Sequence, residues 1–242
     1  LPLWQTPVHY GEVLHWAHNR LGSDPEGNAY AMSARFSAPG SNQPSRIIMS
    51  KVSGSGAIIW SKAYFNTGVN FPRNLQRLKD GSFMICGNGQ LASLYGFVLR
   101  LSADGEVLWS RRFNHFLFKA FAELPDGGWI FAATEAGPLP QATCVLRMDA
   151  DGTILWARRL MMPYALNWLP GLLILPNGNI LVCNYETPKE EPVADMICLS
   201  PDGSFQWTKR YDLCHNYGIS SGLITNDGGI AGLRAIGAQP HE

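Results

Sequence analysis

The sequence lacks several features that would assign it to a class at once. It has no adjacent cysteine pair, and its cysteines do not show the spacing of a metal site. No apolar run reaches the roughly 18 residues of a membrane-spanning helix. Lys and Arg number 19, as do Asp and Glu, so net charge supplies no attraction to nucleic acid or another polyanion. We therefore predict no metal, no cofactor, no membrane span and no nucleic-acid partner.

Long helical patterns are also missing. The 25 Gly and 16 Pro are spread along the chain, and no 3.6-residue apolar pattern lasts longer than about three turns. This excludes a helical solenoid, and a leucine-rich horseshoe would need a period of roughly 20–29 residues. Residues 11–20 alone have a helix-like pattern, and the repeat register assigns them to a strand instead.

A repeated phrase built around tryptophan is what the chain does contain. Its copies cover residues 57–62, 104–112, 151–159 and 202–210, with Trp60, Trp109, Trp156 and Trp207 at nearly equal steps along the chain. A turn alternates with this phrase, at Gly27, Gly81, Gly127, Gly178 and Gly228. Trp4 precedes Gly27 at a spacing similar to that of the other pairs and belongs to the same series. Five turns and five tryptophans therefore indicate five repeat units.

Each unit has the pattern of four antiparallel strands. Asp-Gly and Asn-Gly between apolar runs are hairpin signals, because Gly tolerates positive φ and the Asx side chain caps the turn. In the second unit we predict strands at 74–78, 82–86, 97–101 and 106–113. Four strands in about 50 residues is the size of a β-propeller blade. The prediction is an all-β, five-bladed propeller that forms a single domain over residues 1–242, with blades at 11–64, 65–113, 114–160, 161–211 and 212–242 plus 1–10.

The last blade is predicted to be incomplete. From turn Gly to Trp, the full blades cover 81–109, 127–156 and 178–207, whereas the last unit has only 228–242 and 1–4. It is short by about one strand and its turn. We expect the N-terminal strand, 3–8, to join strands at 219–224 and 229–235 and close the ring, because an open ring leaves strand edges unpaired. The alternative is that the missing strand lies outside the given sequence, since a first residue other than Met is typical of a processed or partial chain.

The repeated side chains have a structural and a functional interpretation. A tryptophan at one place per unit is expected to be buried between neighbouring sheets, and a ligand role is the alternative. Basic pairs follow three of the tryptophans, at Arg111-Arg112, Arg158-Arg159 and Lys209-Arg210. They fall on the outermost strand, where charge prevents edge-to-edge aggregation. An anion-binding stripe is the alternative for these pairs.

A polar ring is the candidate site. Counting back by a nearly constant offset from each turn Gly gives His15, Asn70, His115, Asn167 and Asn216, flanked by Asn114 and His215. In a propeller these positions lie where one blade leads into the innermost strand of the next. A His or Asn from each blade would line the mouth of the channel and suit a ligand, an ion or water. The alternative is that they hydrogen-bond only the local backbone. Because no carboxylate occupies these positions, we predict no catalytic residue.

The sequence also allows predictions for the cysteines and for the loops between strands. Cys86, Cys144, Cys183, Cys198 and Cys214 are expected to be buried thiols, and a Cys183–Cys198 bridge within one blade is the alternative. The loops between second and third strands, at 37–45, 88–95, 135–143 and 187–195, differ most between units. Binding specificity usually resides in such loops on a rigid scaffold.

The Asp-Gly-x-x-x-Trp phrase resembles the tryptophan docking motif of PQQ-like propeller repeats. The turns at 125–128 and 176–178, Pro-Asp-Gly-Gly and Pro-Asn-Gly, are similar to those of secreted bacterial propeller repeats. The resemblance implies a propeller and an extracytoplasmic location, periplasmic, cell-surface or secreted. It does not extend to the cofactor, because quinoprotein dehydrogenases have larger rings, acidic calcium ligands and an adjacent cysteine pair. Similar repeats in outer-membrane assembly scaffolds bind protein partners without catalysis.

On these grounds the sequence favours a non-enzymatic scaffold subunit that binds a protein partner in a larger assembly. The second interpretation is a carbohydrate-binding or carbohydrate-active propeller, a lectin or a glycosidase, because five-bladed rings host both. A glycosidase would need carboxylates at the channel, and a lectin would repeat the same loop residues in every blade. The predicted ring contains no carboxylate, and the loops differ from blade to blade. A quinoprotein-like enzyme is the third interpretation.

Overall fold

The computed structural model of the chain describes residues 20–35, 46–65, 69–90, 93–137, 142–160, 171–186, 193–212, 219–224 and 230–234. These residues form eighteen strands and the turns between them, with no helix among them. Consequently, no helix in this part of the chain could cross a bilayer.

The strands form four four-stranded sheets and one two-stranded sheet. The first sheet contains β1 (Arg20–Ser23), β2 (Ala29–Arg35), β3 (Arg46–Val52) and β4 (Ile58–Phe65). The second contains β5 (Val69–Arg77), β6 (Phe83–Gln90), β7 (Leu94–Leu101) and β8 (Val107–Phe113). The third contains β9 (Phe116–Glu123), β10 (Trp129–Glu135), β11 (Thr143–Met148) and β12 (Ile154–Leu160). The fourth contains β13 (Gly171–Ile174), β14 (Ile180–Glu186), β15 (Val193–Leu199) and β16 (Phe205–Asp212), and β17 (Ile219–Ile224) pairs with β18 (Ile230–Arg234).

Within each four-stranded sheet the strands follow one another in chain order as an antiparallel meander. This is the blade of a β-propeller, and the prediction of an all-β propeller with four-stranded antiparallel blades is confirmed. Four blades are complete within the described residues, and β17 and β18 form a separate two-stranded sheet, so that a fifth blade stays a prediction. The N-terminal strand predicted at 3–8 lies outside the described residues, so closure of the ring stays a prediction.

The hairpin turns hold the meander by local hydrogen bonds. At the turn between β5 and β6, Gly81 adopts a φ of 84°, and its N–H donates to the Leu78 carbonyl at 3.0 Å. The Asp80 carboxylate accepts from the Ser82 N–H at 2.9 Å. The same backbone pattern recurs at the other Gly turns of the four complete blades. These turns form because Gly adopts the left-handed conformation without strain and Asp caps the next amide.

Burial rises from the edges of a blade to its middle. In the second sheet, β6 is buried from Phe83 to Gly89, whereas most of β8 is exposed. The middle strands are apolar because they form the cores of the two units: residues of β6 pack with residues of the first sheet in one core, and residues of β10 pack with those of the fourth sheet in the other. The fourth strand is an edge strand, and its exposed residues include Val107 and Leu108.

The chain divides into two compact units, Leu1–Leu117 and Phe118–Glu242. In the first, Tyr30 of the first sheet contacts Phe83 of the second edge-to-face, with ring centroids 4.9 Å apart. In the second, aliphatic residues of the third and fourth sheets form the core, among them Ile130 and Val182, both fully buried. The prediction that residues 1–242 form a single domain stays a prediction.

Candidate functional site

Two of the repeated tryptophans dock on the next sheet in the chain. Trp60 on β4 lies against Gly105 in the turn before β8, and Trp156 on β12 lies against Gly203 in the turn before β16. Both indole rings are partly buried and pack against the core of their unit. Among the described residues, no group accepts a hydrogen bond from the buried Nε1 of either ring. Their role in the described structure is therefore contact between sheets.

The basic residue two positions after these tryptophans binds the same turn. Lys62 Nζ donates to the Asp104 carbonyl at 2.7 Å and pairs with Glu106. Arg158 Nε donates to the Gly203 carbonyl at 3.3 Å, and its Nη2 donates to the Asp202 carbonyl at 3.3 Å. Arg158 is an exposed residue of an edge strand, as expected, and in addition it hydrogen-bonds the next sheet. Its hydrogen-bond acceptors lie in the next repeat, so the sequence of its own strand does not reveal them.

Two aromatic rings lie flat across the second sheet at the end where β8 leads into β9. Tyr95 covers Gly89 and Phe97 covers Gly87, the residues directly opposite them in register. A Cβ at Gly87 would stand 2.6 Å from Cζ of Phe97, so a side chain there would displace the ring. Glycine in the interior of a strand typically marks such a close approach.

Arg112 on β8 stacks over one of these rings, that of Tyr95. Its guanidinium carbon lies 4.1 Å from the centroid of Tyr95, and its Nε donates to Asn114 Oδ1 at 3.1 Å. Stacking over an aromatic ring and a hydrogen bond from Nε both hold the planar group in one orientation. The orientation of a positive charge is therefore fixed at this end of the second sheet.

A cleft of about 510 Å³ opens beside Arg112, between the first and second sheets. Ile47, Phe97 and Leu99 contribute apolar surface to it, and Tyr64, Ser110 and Arg112 contribute polar groups. Tyr64 donates its hydroxyl to the Gly105 carbonyl at 2.8 Å, and burial followed by the nearby Glu106 charge raises the pKa of that hydroxyl. Tyr64 is therefore a neutral, fixed wall of the cleft at neutral pH.

The predicted polar ring is only partly described. Asn70 lies in β5 opposite Gly89, and His115 lies in the exposed turn between β8 and β9. By register both are at the same end of the second sheet, but they lie on opposite sides of it: His115 follows Asn114 after β8, whereas Asn70 lies on the other edge strand, β5. His15, Asn167, His215 and Asn216 lie outside the described residues, as does Trp4. The ring itself stays a prediction.

Carboxylates at this end of the blades were missed. Glu135 is the last residue of β10 and Glu186 the last of β14, each eight residues after its turn Gly. Glu135 Oε2 pairs with Arg159 Nη2 at 3.1 Å. The equivalent strands β2 and β6 end in Arg35 and Gln90. Counting from the turn to the first strand left these positions unexamined, although the constant offset along the second strand was a usable signal.

The cysteines are free thiols. Cys86, Cys144, Cys183 and Cys198 are buried and unbridged. The alternative of a Cys183–Cys198 bridge is wrong, because Cys183 faces Met196 across the strands and Cys198 faces Leu181. Burial raises the pKa of Cys144 to about 11, with the Glu135 charge adding to the effect, and burial raises the pKa of Cys183 to about 11. Cys214 lies outside the described residues.

Metal-ligating residues do not cluster in the described part of the chain, where no group of three or more His, Cys, Asp or Glu could hold an ion. The apparent acid clusters are turns. Asp202, for example, has its pKa lowered by hydrogen bonds from Ser200 and Ser204, which are its own turn neighbours.

No protein-family model matches the chain, and no curated protein matches it by sequence. Solved structures do share its fold. A polysaccharide lyase, the PL25 ulvan lyase bound to -[GlcA(1-4)Rha3S]-, is 11% identical over 81% of this chain, with a TM-score of 0.54. An exo-β-1,3-galactanase from Phanerochaete chrysosporium with galactose is 10% identical over 93%, with a TM-score of 0.55. An α-L-arabinofuranosidase from Lactobacillus brevis is 14% identical over 93%, with a TM-score of 0.51.

The share of each solved structure that the chain covers also differs. The chain spans 56% of the lyase, 57% of the galactanase and 86% of the arabinofuranosidase. A puromycin hydrolase S511A mutant complexed with PGG is also similar, 15% identical with a TM-score of 0.56, but the chain spans only 38% of it. At such identities the similarity shows the fold alone.

Two expectations from the sequence change at this point. The preference for a non-enzymatic protein is contradicted, because the solved structures that share the fold are enzymes. The neighbours are propeller-type lyase and glycoside hydrolase folds, and no family model supports membership in the PQQ-like repeats. The resemblance to those repeats therefore rests on the tryptophan phrase.

Proposed function

We propose that the protein is a carbohydrate-active enzyme that cleaves glycosidic bonds in an oligosaccharide or polysaccharide. The observation that carries the proposal is the fold shared over 81–93% of the chain with a polysaccharide lyase, a galactanase and an arabinofuranosidase. Because one fold hosts many activities, the assignment of residues rests on their positions in the blades.

The carboxylates Glu135 and Glu186 are the proposed catalytic pair. Cleavage of a glycosidic bond commonly uses two carboxyl groups, one that donates a proton to the leaving oxygen and one that acts as base or nucleophile. Both residues end the second strand of adjacent blades within one compact unit. The Arg159 guanidinium pairs with Glu135 at 3.1 Å and orients its carboxyl group, so we assign Glu135 the role of base or nucleophile. Glu186 takes the role of acid.

The polar ring is proposed to bind the sugar. His15, Asn70, His115, Asn167, His215 and Asn216 would offer imidazole and amide groups to the hydroxyls of the substrate. Hydrogen-bond donors and acceptors of this kind fix the orientation of a polar ligand in a binding site. An extracytoplasmic location accompanies this proposal, since polysaccharides are encountered outside the cytoplasm. The similarity to secreted propeller repeats supports it.

The test is a panel of polysaccharides and aryl glycosides incubated with the purified protein. New reducing ends without ultraviolet absorbance indicate a hydrolase, and an unsaturated, absorbing product indicates a lyase. On the substrate that is cleaved, we expect Glu135→Gln and Glu186→Gln each to lower kcat at least about a hundredfold. Glu123→Gln, at the opposite end of the third sheet, is the control that keeps full activity.

Two results would count against the proposal at different levels. A panel in which no saccharide is bound or cleaved would overturn the function. Full activity in both glutamine variants, with cleavage intact, would overturn only the catalytic assignment.

A further inference from the structure

The cleft between the first and second sheets has the properties of a second binding site. Its volume of about 510 Å³ lies within the range of roughly 300–1,000 Å³ found for small-molecule sites. Its walls belong to one compact unit, and its apolar surface comes from strands β3 and β7, whose residues Ile47, Phe97 and Leu99 are held in the core. A ligand would therefore meet a preformed surface.

The rim of the cleft contains the positive charge of Arg112, held in one orientation. Arg112 is held by Tyr95 and Asn114, and only its Nε is used in hydrogen bonding to them. Among the described residues no acceptor receives a hydrogen bond from its two terminal nitrogens. Those two nitrogens form the edge of the guanidinium that binds a carboxylate through two parallel hydrogen bonds. An oriented donor pair beside an apolar wall matches a ligand that carries both features.

We propose that this cleft binds a small carboxylic acid with an apolar body, its carboxylate on Arg112 and its body against Phe97, Leu99 and Ile47. Ser110 adds a hydroxyl at the rim. A neutral sugar fits less well, because its hydroxyls would lie against apolar side chains without hydrogen-bond partners. The inference is independent of the proposed function, which concerns the other residues described above.

The experiment is a calorimetric titration of the whole chain with 3-phenylpropionate, its neutral analogue 3-phenylpropanamide, and D-glucuronate. We expect saturable binding of the propionate, and affinities at least about tenfold weaker for the amide, which lacks the charge, and for glucuronate, which lacks the apolar body. Raising the salt concentration weakens binding of the propionate, because the contact with Arg112 is partly exposed.

Variants locate the binding. Arg112→Gln should weaken binding of 3-phenylpropionate at least about tenfold. Arg210→Gln, three residues after Trp207 just as Arg112 is three after Trp109, should leave it unchanged. Ser110→Phe fills the cleft and should abolish binding, whereas Ala157→Phe, the equivalent exposed position after Trp156, should not.

Thermal unfolding of each variant shows that it is folded, and if Ser110→Phe does not fold, Arg112→Gln decides alone. Equal affinity for the propionate and the amide would overturn the role of Arg112. Equal affinity for glucuronate would overturn the apolar body. Unchanged affinity in a folded Arg112→Gln variant would overturn the site.

Discussion

Trp60 and Gly105 are in contact across two sheets, and a methyl group at Gly105 would crowd the indole ring. A Cβ added at Gly105 would stand 3.1 Å from Cη2 of the indole and 3.0 Å from the Tyr64 hydroxyl. The same relationship joins Trp156 to Gly203, where the nearest ring atoms would be 3.0 Å away. Each contact joins a tryptophan to a turn about one repeat later. The repeat thus sets how a sheet meets its neighbour within a compact unit.

Gly105→Ala tests this contact against a matched control. Gly105 has a φ of 76° and Gly27 a φ of 80°, but a Cβ at Gly27 would meet nothing within 4 Å. Both alanines have the same backbone strain, about 1 kcal/mol, and only the one at Gly105 also displaces a ring. We expect Gly105→Ala to lower the free energy of unfolding by about 1 kcal/mol more than Gly27→Ala, as measured by urea denaturation. Equal losses in the two variants would show that the docking contact tolerates a methyl group.

The indole of Trp156 gives a second prediction, because its nitrogen has no partner among the described residues. Trp156→Phe keeps most of the apolar contact and loses no hydrogen bond, so it should cost less than about 1.5 kcal/mol. Trp156→Ala removes the contact with Gly203 and should cost about 3 kcal/mol, at the low end for large aromatics because the ring is half-buried. Urea unfolding of both variants measures the difference. A phenylalanine variant as unstable as the alanine one would indicate that the nitrogen is used after all.

The blades could be predicted from the sequence because their signals are local. Asx-Gly turns and short apolar runs are visible in a few residues, and the repeat multiplies them. The lengths of the strands were harder to predict than the blades themselves. The second strand of the second blade was expected at 82–86, yet β6 continues to Gln90, through Gly87 and Gly89. Glycine weakens a strand unless something covers it, and here the rings that cover it come from β7.

The candidate site was also harder to predict from the sequence, because its contacts join residues on different strands. The orientation of Arg112 depends on Tyr95, which lies on the preceding strand and becomes its neighbour only through the register of β7 and β8. The acceptors of Arg158 lie 44 and 45 residues later, in another blade. Composition and spacing along one strand contain no information on such partners. The offset of Glu135 and Glu186 from their turns, in contrast, was readable in the sequence.

Asp24 gives a prediction for acid stability. Burial alone would raise its pKa, but the Lys51 ammonium at 2.8 Å and two hydrogen bonds from Asn28 outweigh this and hold the pKa well below its ordinary value. The folded state therefore binds this proton less readily than the unfolded state. The stabilisation is present above the ordinary value of 3.8 and is lost as the pH falls below it towards the folded-state pKa.

A double variant isolates this ion pair. Leucine stands at the position of Asp24 in the three other complete blades, at Leu78, Leu124 and Leu175. Asp24→Leu therefore introduces a residue that the repeat already accepts, and Lys51→Met removes the charge that would otherwise be left without its partner. We expect its urea midpoint to fall less than that of the wild type between about pH 4 and pH 2. Parallel curves for the two proteins would show that other carboxylates determine the acid limit.

The buried thiols lead us to predict a loss of stability at alkaline pH. The pKa values of Cys144 and Cys183 rise from 9.0 to about 11 in the folded protein, chiefly because burial disfavours the thiolate. Above about pH 9 the unfolded chain loses these protons and the folded chain keeps them, so stability decreases as the pH rises towards 11. Replacing both residues, by Cys144→Val and Cys183→Ala, should flatten the decrease, even though the variant starts from a lower stability at pH 7. Urea unfolding at a series of pH values from 7 to about 11 measures the two slopes. A variant that loses stability as steeply as the wild type would show that tyrosine or lysine ionisation, and not the thiols, sets the alkaline limit.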